Sequence, residues 1–245
     1  MPDKGIPKVT GTLRAKSLMI PECIWQAKGM VIMGRRIKSA IFTTDIAIIR
    51  NCNADAVLAV YPFTPQQIIT QSIINAASIP VLAGVGGGTT QGLRTATMAK
   101  DAEAHGAYGV VVNAPMKNDN VALIKKVIDI PIIATVVSEK TDIDERLRAG
   151  VSILNVSAAA KTPELVRYIR KDYPTVPIIA TGGPNDDTIR ATIAAGANTI
   201  SYTPPTCADI FADMMVNYRI MAEEEPEKHK VPEGDHDLEE LLELV

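Results

Sequence analysis

Two carboxylates and a scatter of amides, hydroxyls and glycines stand at the ends of short apolar runs, and chemistry is expected from those positions. Asp45 directly follows the run at 39–43, and Glu139 lies beyond the run at 131–136. A carboxylate so placed can act as a general acid or base. Asp45 also precedes residues 46–51 in the manner of a helix N-cap, and Glu139 beside Lys140 reads equally well as a solvated loop charge. Asn113 and Asn155 end two further runs. An amide there can hydrogen-bond a substrate hydroxyl or carbonyl, or simply satisfy polar neighbours. Asp45, Asn113 and Asn155 are therefore the candidate catalytic residues.

Anion binding has its own candidates. The segment Ala180-Thr181-Gly182-Gly183-Pro184-Asn185-Asp186 leaves an apolar run through two glycines. Glycines let backbone N–H groups approach an oxyanion, and a following helix N-terminus favours negative charge. With Ser201 and Thr203 after the next run, Gly182 and Gly183 make up the expected phosphate-binding set, against the plainer reading of a tight turn. A second glycine segment, GVGGGTTQG at 84–92, offers Gly86 and Gly87 as another anion cradle or as part of a mobile lid. Gly86, Gly87, Lys117 and Glu139 are the ligand-binding candidates.

Lys117, Lys140 and Lys161 lie past run ends, where a lysine can neutralise a phosphate or polarise a carbonyl. None falls inside a run, so none has the desolvation that lowers a lysine pKa for Schiff-base chemistry. His105 closes a helical stretch, while His229 and His236 lie near the C-terminal end, so no imidazole stands at a run end to ligate zinc or iron. No cofactor is expected. Magnesium held by Asp45, Glu139 and substrate oxygens is the conceivable exception, because such sites need few protein carboxylates. No GxSxG elbow or P-loop ending is present.

The elements that must position these residues follow from the apolar pattern. Runs at 39–43, 56–60, 81–84, 109–113, 131–136, 152–156, 177–180 and 198–202 are almost wholly apolar, as parallel strands covered on both faces are. Between them lie amphipathic stretches, such as 64–78 with Ile68, Ile69, Ile73 and Ile74, and 164–172 with Leu165, Val166 and Ile169. Eight strands alternating with helices, in a length close to the roughly 250 residues of a single such barrel, predict an α/β chain folded as one (β/α)8 TIM barrel. In that architecture the active site lies at the C-terminal ends of the strands. The chain partly echoes itself, with Ile79-Pro80-Val81-Leu82-Ala83-Gly84 answered by Val176-Pro177-Ile178-Ile179-Ala180-Thr181. That echo fits repeated βα units.

The expected organisation is an N-terminal extension over 1–36, a barrel over 37–222 and an acidic tail over 223–245. The extension holds the sole tryptophan, Trp25, near Met30, Ile32 and Met33, and these apolar residues could cap the barrel bottom. The tail carries a net charge of −8 against −3 for the whole chain. It ends in a short helical pattern from Asp237, with Leu238, Leu241, Leu242 and Val245 on one face. Too short to stand alone, such a helix would dock on the barrel or, as the lesser expectation, on a second copy in a homo-oligomer, or else stay disordered. The three cysteines, Cys23, Cys52 and Cys207, show no paired spacing. With no signal-like or membrane-spanning apolar stretch, this points to a cytoplasmic protein with no membrane partner. Nucleic acid is not an expected partner. Lys4, Lys8, Arg14, Lys16, Arg35 and Arg36 supply the basic groups near the N-terminus, but Trp25 is the lone stacking ring beside them.

From about 54 to 203 the chain resembles the phosphate-binding (β/α)8 barrels, and in segment order it is similar to the 2-keto-3-deoxy-6-phosphogluconate aldolase group. The matching pieces are Thr64-Pro65, Ala83-Gly84, Ala180-Thr181-Gly182-Gly183 and Gly196-Ala197. That family's acid and arginine fall where this chain has Ala59 and Phe63, and its Schiff-base lysine falls where this chain has Asn155, so the class I aldolase mechanism does not transfer. At Ile200-Ser201-Tyr202-Thr203 the chain also resembles the glycerol uptake operon antiterminator barrels, which implies regulation instead of turnover. Two expectations result. The first is an enzyme, a lyase or isomerase acting on a small phosphorylated, sugar-like metabolite. The second is a non-catalytic sensor of such a metabolite, which the scarcity of charged rim residues favours.

Overall fold

The structure, a computed structural model, describes residues 17–224. A 3-10 turn at Glu22–Gln26 leads into a hairpin of β1 (Met30–Ile32) and β2 (Arg35–Ile37), antiparallel and joined through Met33 and Gly34. The chain then alternates strand and helix: β3 (Ser39–Phe42), α1 (Ile46–Arg50), β4 (Ala56–Ala59), α2 (Gln67–Ala76), β5 (Val81–Gly86), α3 (Leu93–Ala104), β6 (Gly109–Val112) and α4 (Asn118–Lys125). It continues through β7 (Ile132–Val136), α5 (Ile143–Arg148), β8 (Val151–Val156), α6 (Thr162–Asp172), β9 (Ile178–Thr181), α7 (Asp186–Ala194), β10 (Thr199–Tyr202) and α8 (Cys207–Glu224). Strands β3 to β10 pair in parallel and in sequence, and β10 pairs back onto β3 to close an eight-stranded barrel. The (β/α)8 fold read from the apolar runs is the observed one.

The reason is legible in burial. All four residues of β4 and all four of β6 are buried, as strands sandwiched between a barrel interior and a helix layer must be. The interior is filled by Ala40, Ala56, Leu58, Leu82, Val111, Ile133, Ile153 and Ile179, drawn from seven strands. Met30, Ile32 and Ile37 join that cluster, so the hairpin plugs the N-terminal end of the barrel. The Thr199 hydroxyl of β10 donates to Ile37 O at 2.6 Å, tying plug to barrel.

One element boundary differs from the sequence pattern. The helix read over 64–78 begins only at Gln67, because Pro62 and Pro65 hold the preceding segment in a turn that the Tyr61 hydroxyl secures by accepting from Gln66 N at 2.8 Å. The chain divides into two compact units, the first ending at Pro204 and the second starting at Pro205 and holding α8. A Pro-Pro pair interrupts the backbone there and α8 follows it. The tail helix read from Asp237, and the basic residues Lys4 to Lys16, lie outside the described residues. No helix among the described residues is long and apolar enough to cross a membrane.

Candidate functional site

Side chains alternate along a strand, so the residue two places beyond each interior residue also faces inward, one layer nearer the C-terminal mouth. Applied to the eight strands, this gives a mouth ring of Phe42, Val60, Gly84, Asn113, Thr135, Asn155, Thr181 and Ser201. The ring contains no ionisable side chain. Its β7–β9 side is hydrogen-bonded: Asn155 Nδ2 donates to Thr135 Oγ1 at 3.2 Å, and Thr181 Oγ1 donates to Ser157 Oγ at 3.2 Å.

The opposite side of the mouth opens into a cavity of about 420 Å³. Its walls are the loop after β4 (Tyr61 to Pro65), the glycine loop leaving β5 (Gly86 to Thr90), and Asn113 with Val111 on β6. No charged residue lines it. The glycine loop, for which a mobile lid was one reading, is pinned at several points. Gly87 N donates to Thr90 O, Thr95 Oγ1 donates to the same carbonyl, Gly92 N donates to Asn120 Oδ1, and Gln91 Nε2 donates to Gly88 O. The N–H groups of Gly88 and Thr89 make no hydrogen bond among the described residues. The loop runs into α3, whose N-cap Gly92 supplies no side-chain cap and whose first turn carries no acid.

The seventh barrel strand, β9, presents a different arrangement. Gly182 is buried, its N–H is spent on Ser201 O at 3.1 Å, and a Cβ on it would meet Ile200 Cγ2 at 2.7 Å. Helix α7 begins with a capping box between Asn185 and Thr188, and Asp186 and Asp187 occupy its first turn. Those carboxylates already answer the positive end of the helix. Gly183 and Thr203 are exposed, while Ser201 is buried.

Asp45 is the N-cap of α1, its Oδ1 accepting from Ala47 N at 2.8 Å and Ile48 N at 3.2 Å. Asn113 lines the cavity and Asn155 lies on the buried side of the mouth. Gly86 and Gly87 are cavity walls. Lys117 instead borders a separate depression shared with Asn118, Asp142, Glu145 and Arg146, and Glu139, Lys140 and Lys161 are exposed. Neither Lys117 nor Glu139 lines the cavity that Gly86 and Gly87 form.

Sequence reasoning passed over Tyr61, Thr64, Thr89 and Thr90 as cavity walls, and Arg146 as a support. Their signal was the pairing of a proline-framed aromatic loop with the adjacent glycine loop. Arg146 reaches from α5 to donate to Ala114 O and Met116 O, holding the loop that carries Asn113. Burial lowers its pKa from the ordinary guanidinium value.

No protein-family model and no curated protein matches the chain. Solved structures do. A phosphonopyruvate hydrolase in complex with oxalate and Mg++ superposes with a TM-score of 0.57 at 14% identity, over 85% of this chain and 90% of that one. A 2,3-dimethylmalate lyase, described as a PEP mutase/isocitrate lyase superfamily member, gives 0.57 at 14% identity over 93% and 90%. A phosphoenolpyruvate phosphomutase from Streptomyces platensis subsp. rosaceus gives 0.57 at 14% identity over 90% and 92%. At this identity the likeness establishes the (β/α)8 barrel fold. The resemblance to the 2-keto-3-deoxy-6-phosphogluconate aldolase group is not supported by these neighbours.

Proposed function

We propose that the chain is a small-molecule enzyme of the lyase or isomerase kind, acting on a small phosphorylated or carboxylic acid bound in the mouth cavity. One observation carries the reading: a cavity at the catalytic end of the barrel, walled by glycines, whose unspent donors include the backbone N–H groups of Gly88 and Thr89. Such donors suit an oxyanion without a counter-charge. The fold neighbours named for hydrolysis of phosphonopyruvate, lysis of 2,3-dimethylmalate and rearrangement of phosphoenolpyruvate support the substrate class. The geometry favours the β5 loop over Gly182, Gly183, Ser201 and Thr203 as the anion cradle. At β9 the Gly182 N–H is already used and two aspartates stand in the next helical turn.

Asn113 and Asn155 are proposed to orient the substrate, and the acid–base role proposed for Asp45 requires its carboxylate, which caps α1 and does not line the cavity, to reach the ligand. Magnesium, present in one neighbour's complex, does not fit this mouth as a protein-held ion, because no ring or cavity residue is a carboxylate. Among the described residues no group of three or more His, Cys, Asp or Glu could hold a metal. No step is therefore routed through one.

A second reading, a metabolite sensor without turnover, is favoured by the uncharged mouth ring, since binding needs no titrating group and proton transfer does. Thermal stability measured against paired phosphorylated, carboxylated and neutral metabolites tests both, because a ligand of the folded state alone raises stability with occupancy. Shifts confined to anions are expected. A folded protein that no anion stabilises would remove the proposal. Turnover of the stabilising ligand, followed by NMR and abolished in Asp45→Asn, selects the enzyme; saturable binding without turnover, unchanged in Asp45→Asn, selects the sensor.

A further inference from the structure

Asn155 sits on β8 with 8% of its surface exposed, and its Oδ1 has no hydrogen-bond partner among the described residues. Its other amide atom, Nδ2, is committed to Thr135. A buried amide oxygen is normally paired, since leaving it bare forfeits its hydration for nothing. The position is not a packing accident at the barrel floor. Asn155 belongs to the mouth ring, two residues above the interior Ile153, on the same inward face as Asn113 and Thr135. Its register partner in β7 is Thr135, so amide and hydroxyl form one polar strip running from the buried side of the mouth toward the cavity.

We propose that Asn155 Oδ1 receives a hydroxyl of the bound molecule, so that the site reads hydroxy acids in preference to their deoxy counterparts. The inference rests on the anion reading of the mouth and adds the second functional group of the ligand. The acceptor asks for a donor, and a ring without carboxylate or ammonium selects a neutral one. The amide's terminal torsion is broad. Turning about it brings Oδ1 to an entering hydroxyl and releases Thr135 Oγ1 to accept or donate in its turn. The bound molecule would reach from the β5 loop past Asn113 to β8. Its anionic end would lie at Gly88 and Thr89, and its hydroxyl on β8.

The test uses two matched pairs on the full chain, glycerol 3-phosphate against propyl phosphate and malate against succinate, with affinities from calorimetry. In at least one pair the hydroxylated member should bind about tenfold more tightly, the size of one neutral hydrogen bond. In Asn155→Leu that preference should fall to under threefold, while the deoxy member keeps its affinity. Should Asn155→Leu not fold, Asn155→Ala makes the same comparison with a smaller loss of packing. A preference that survives in the variant, or equal binding within both pairs by the native protein, overturns the proposal and leaves the anion reading standing. Failure of all four compounds to bind overturns both.

Discussion

Gly87 lies against Asn113 so closely that a Cβ on the glycine would come within 2.6 Å of the Asn113 backbone nitrogen, and the same Asn113 N–H donates to Gly86 O at 3.0 Å. The β5 loop and the end of β6 are thereby one surface. Gly87 also has a φ of +130°, a region that only glycine enters without strain. Gly87→Ala should cost about 2–3 kcal/mol of stability and abolish the anion-induced thermal shift. Gly88→Ala, at a φ of +55° with nothing within 4 Å of the added carbon, should cost about 1 kcal/mol and leave the cavity wall in place. Denaturant unfolding and ligand-shift measurements on the two variants check the contrast. Equal loss in both would show that the contact with Asn113 is immaterial.

Arg146 holds the loop carrying Asn113 through two carbonyls, of Ala114 and Met116. Its partial burial, which lowers its pKa, makes these bonds worth more than exposed ones. In Arg146→Ala both carbonyls lose their donor, with an expected cost of about 2–3 kcal/mol and a weaker anion response. Arg146→Lys, which lacks the planar fork, should recover less than half of the loss. Full recovery in the lysine variant would mean that charge alone matters at this position.

Arg170 performs the corresponding task at the N-terminal end of the barrel. Its guanidinium donates to Gly196 O, Tyr173 O, Val176 O and Asn198 Oδ1, and Asn198 Oδ1 also receives Ile178 N. One network thus fixes α6, β9 and β10 together. Arg170→Ala and Asn198→Ala should each cost about 2–4 kcal/mol, and the double variant should fall short of their sum by at least 1 kcal/mol. Ligand affinity should not change, because the network lies at the opposite end from the mouth. Additive losses would show that the two residues act independently.

Cys23, buried in the 3-10 turn, has its thiol pKa raised above the ordinary 9.0, first by burial and then by the charge and hydrogen bond of Asp186. The folded state therefore keeps a proton that the unfolded chain gives up. This contribution is fully present below the unfolded pKa and is lost as pH rises through about 9 toward the folded value. Stability measured between pH 7.5 and 9.5 should decline, and Cys23→Ala, though less stable at pH 7.5, should decline less steeply. Parallel slopes in the two proteins would remove Cys23 as the source.

The barrel was readable from the order of residues because each strand is buried on both faces, and that burial writes an unbroken apolar run into the sequence. Asp45 as N-cap and Gly86 and Gly87 as loop glycines were readable for a similar reason: their roles are local, set by neighbours one to three residues away. The cavity was not. Tyr61, Gly87 and Asn113 come from three separate strand ends, and only barrel closure in a fixed register brings them to one wall. Register also decided that Asn155 faces inward with an unpaired oxygen, since a shift of one residue would have turned it to the helix layer. Gly182 looked like an anion cradle in sequence, where its donor seems available. Pairing with β10 spends that donor on Ser201, and a hydrogen bond between strands is a property of the assembled sheet that no single segment can express.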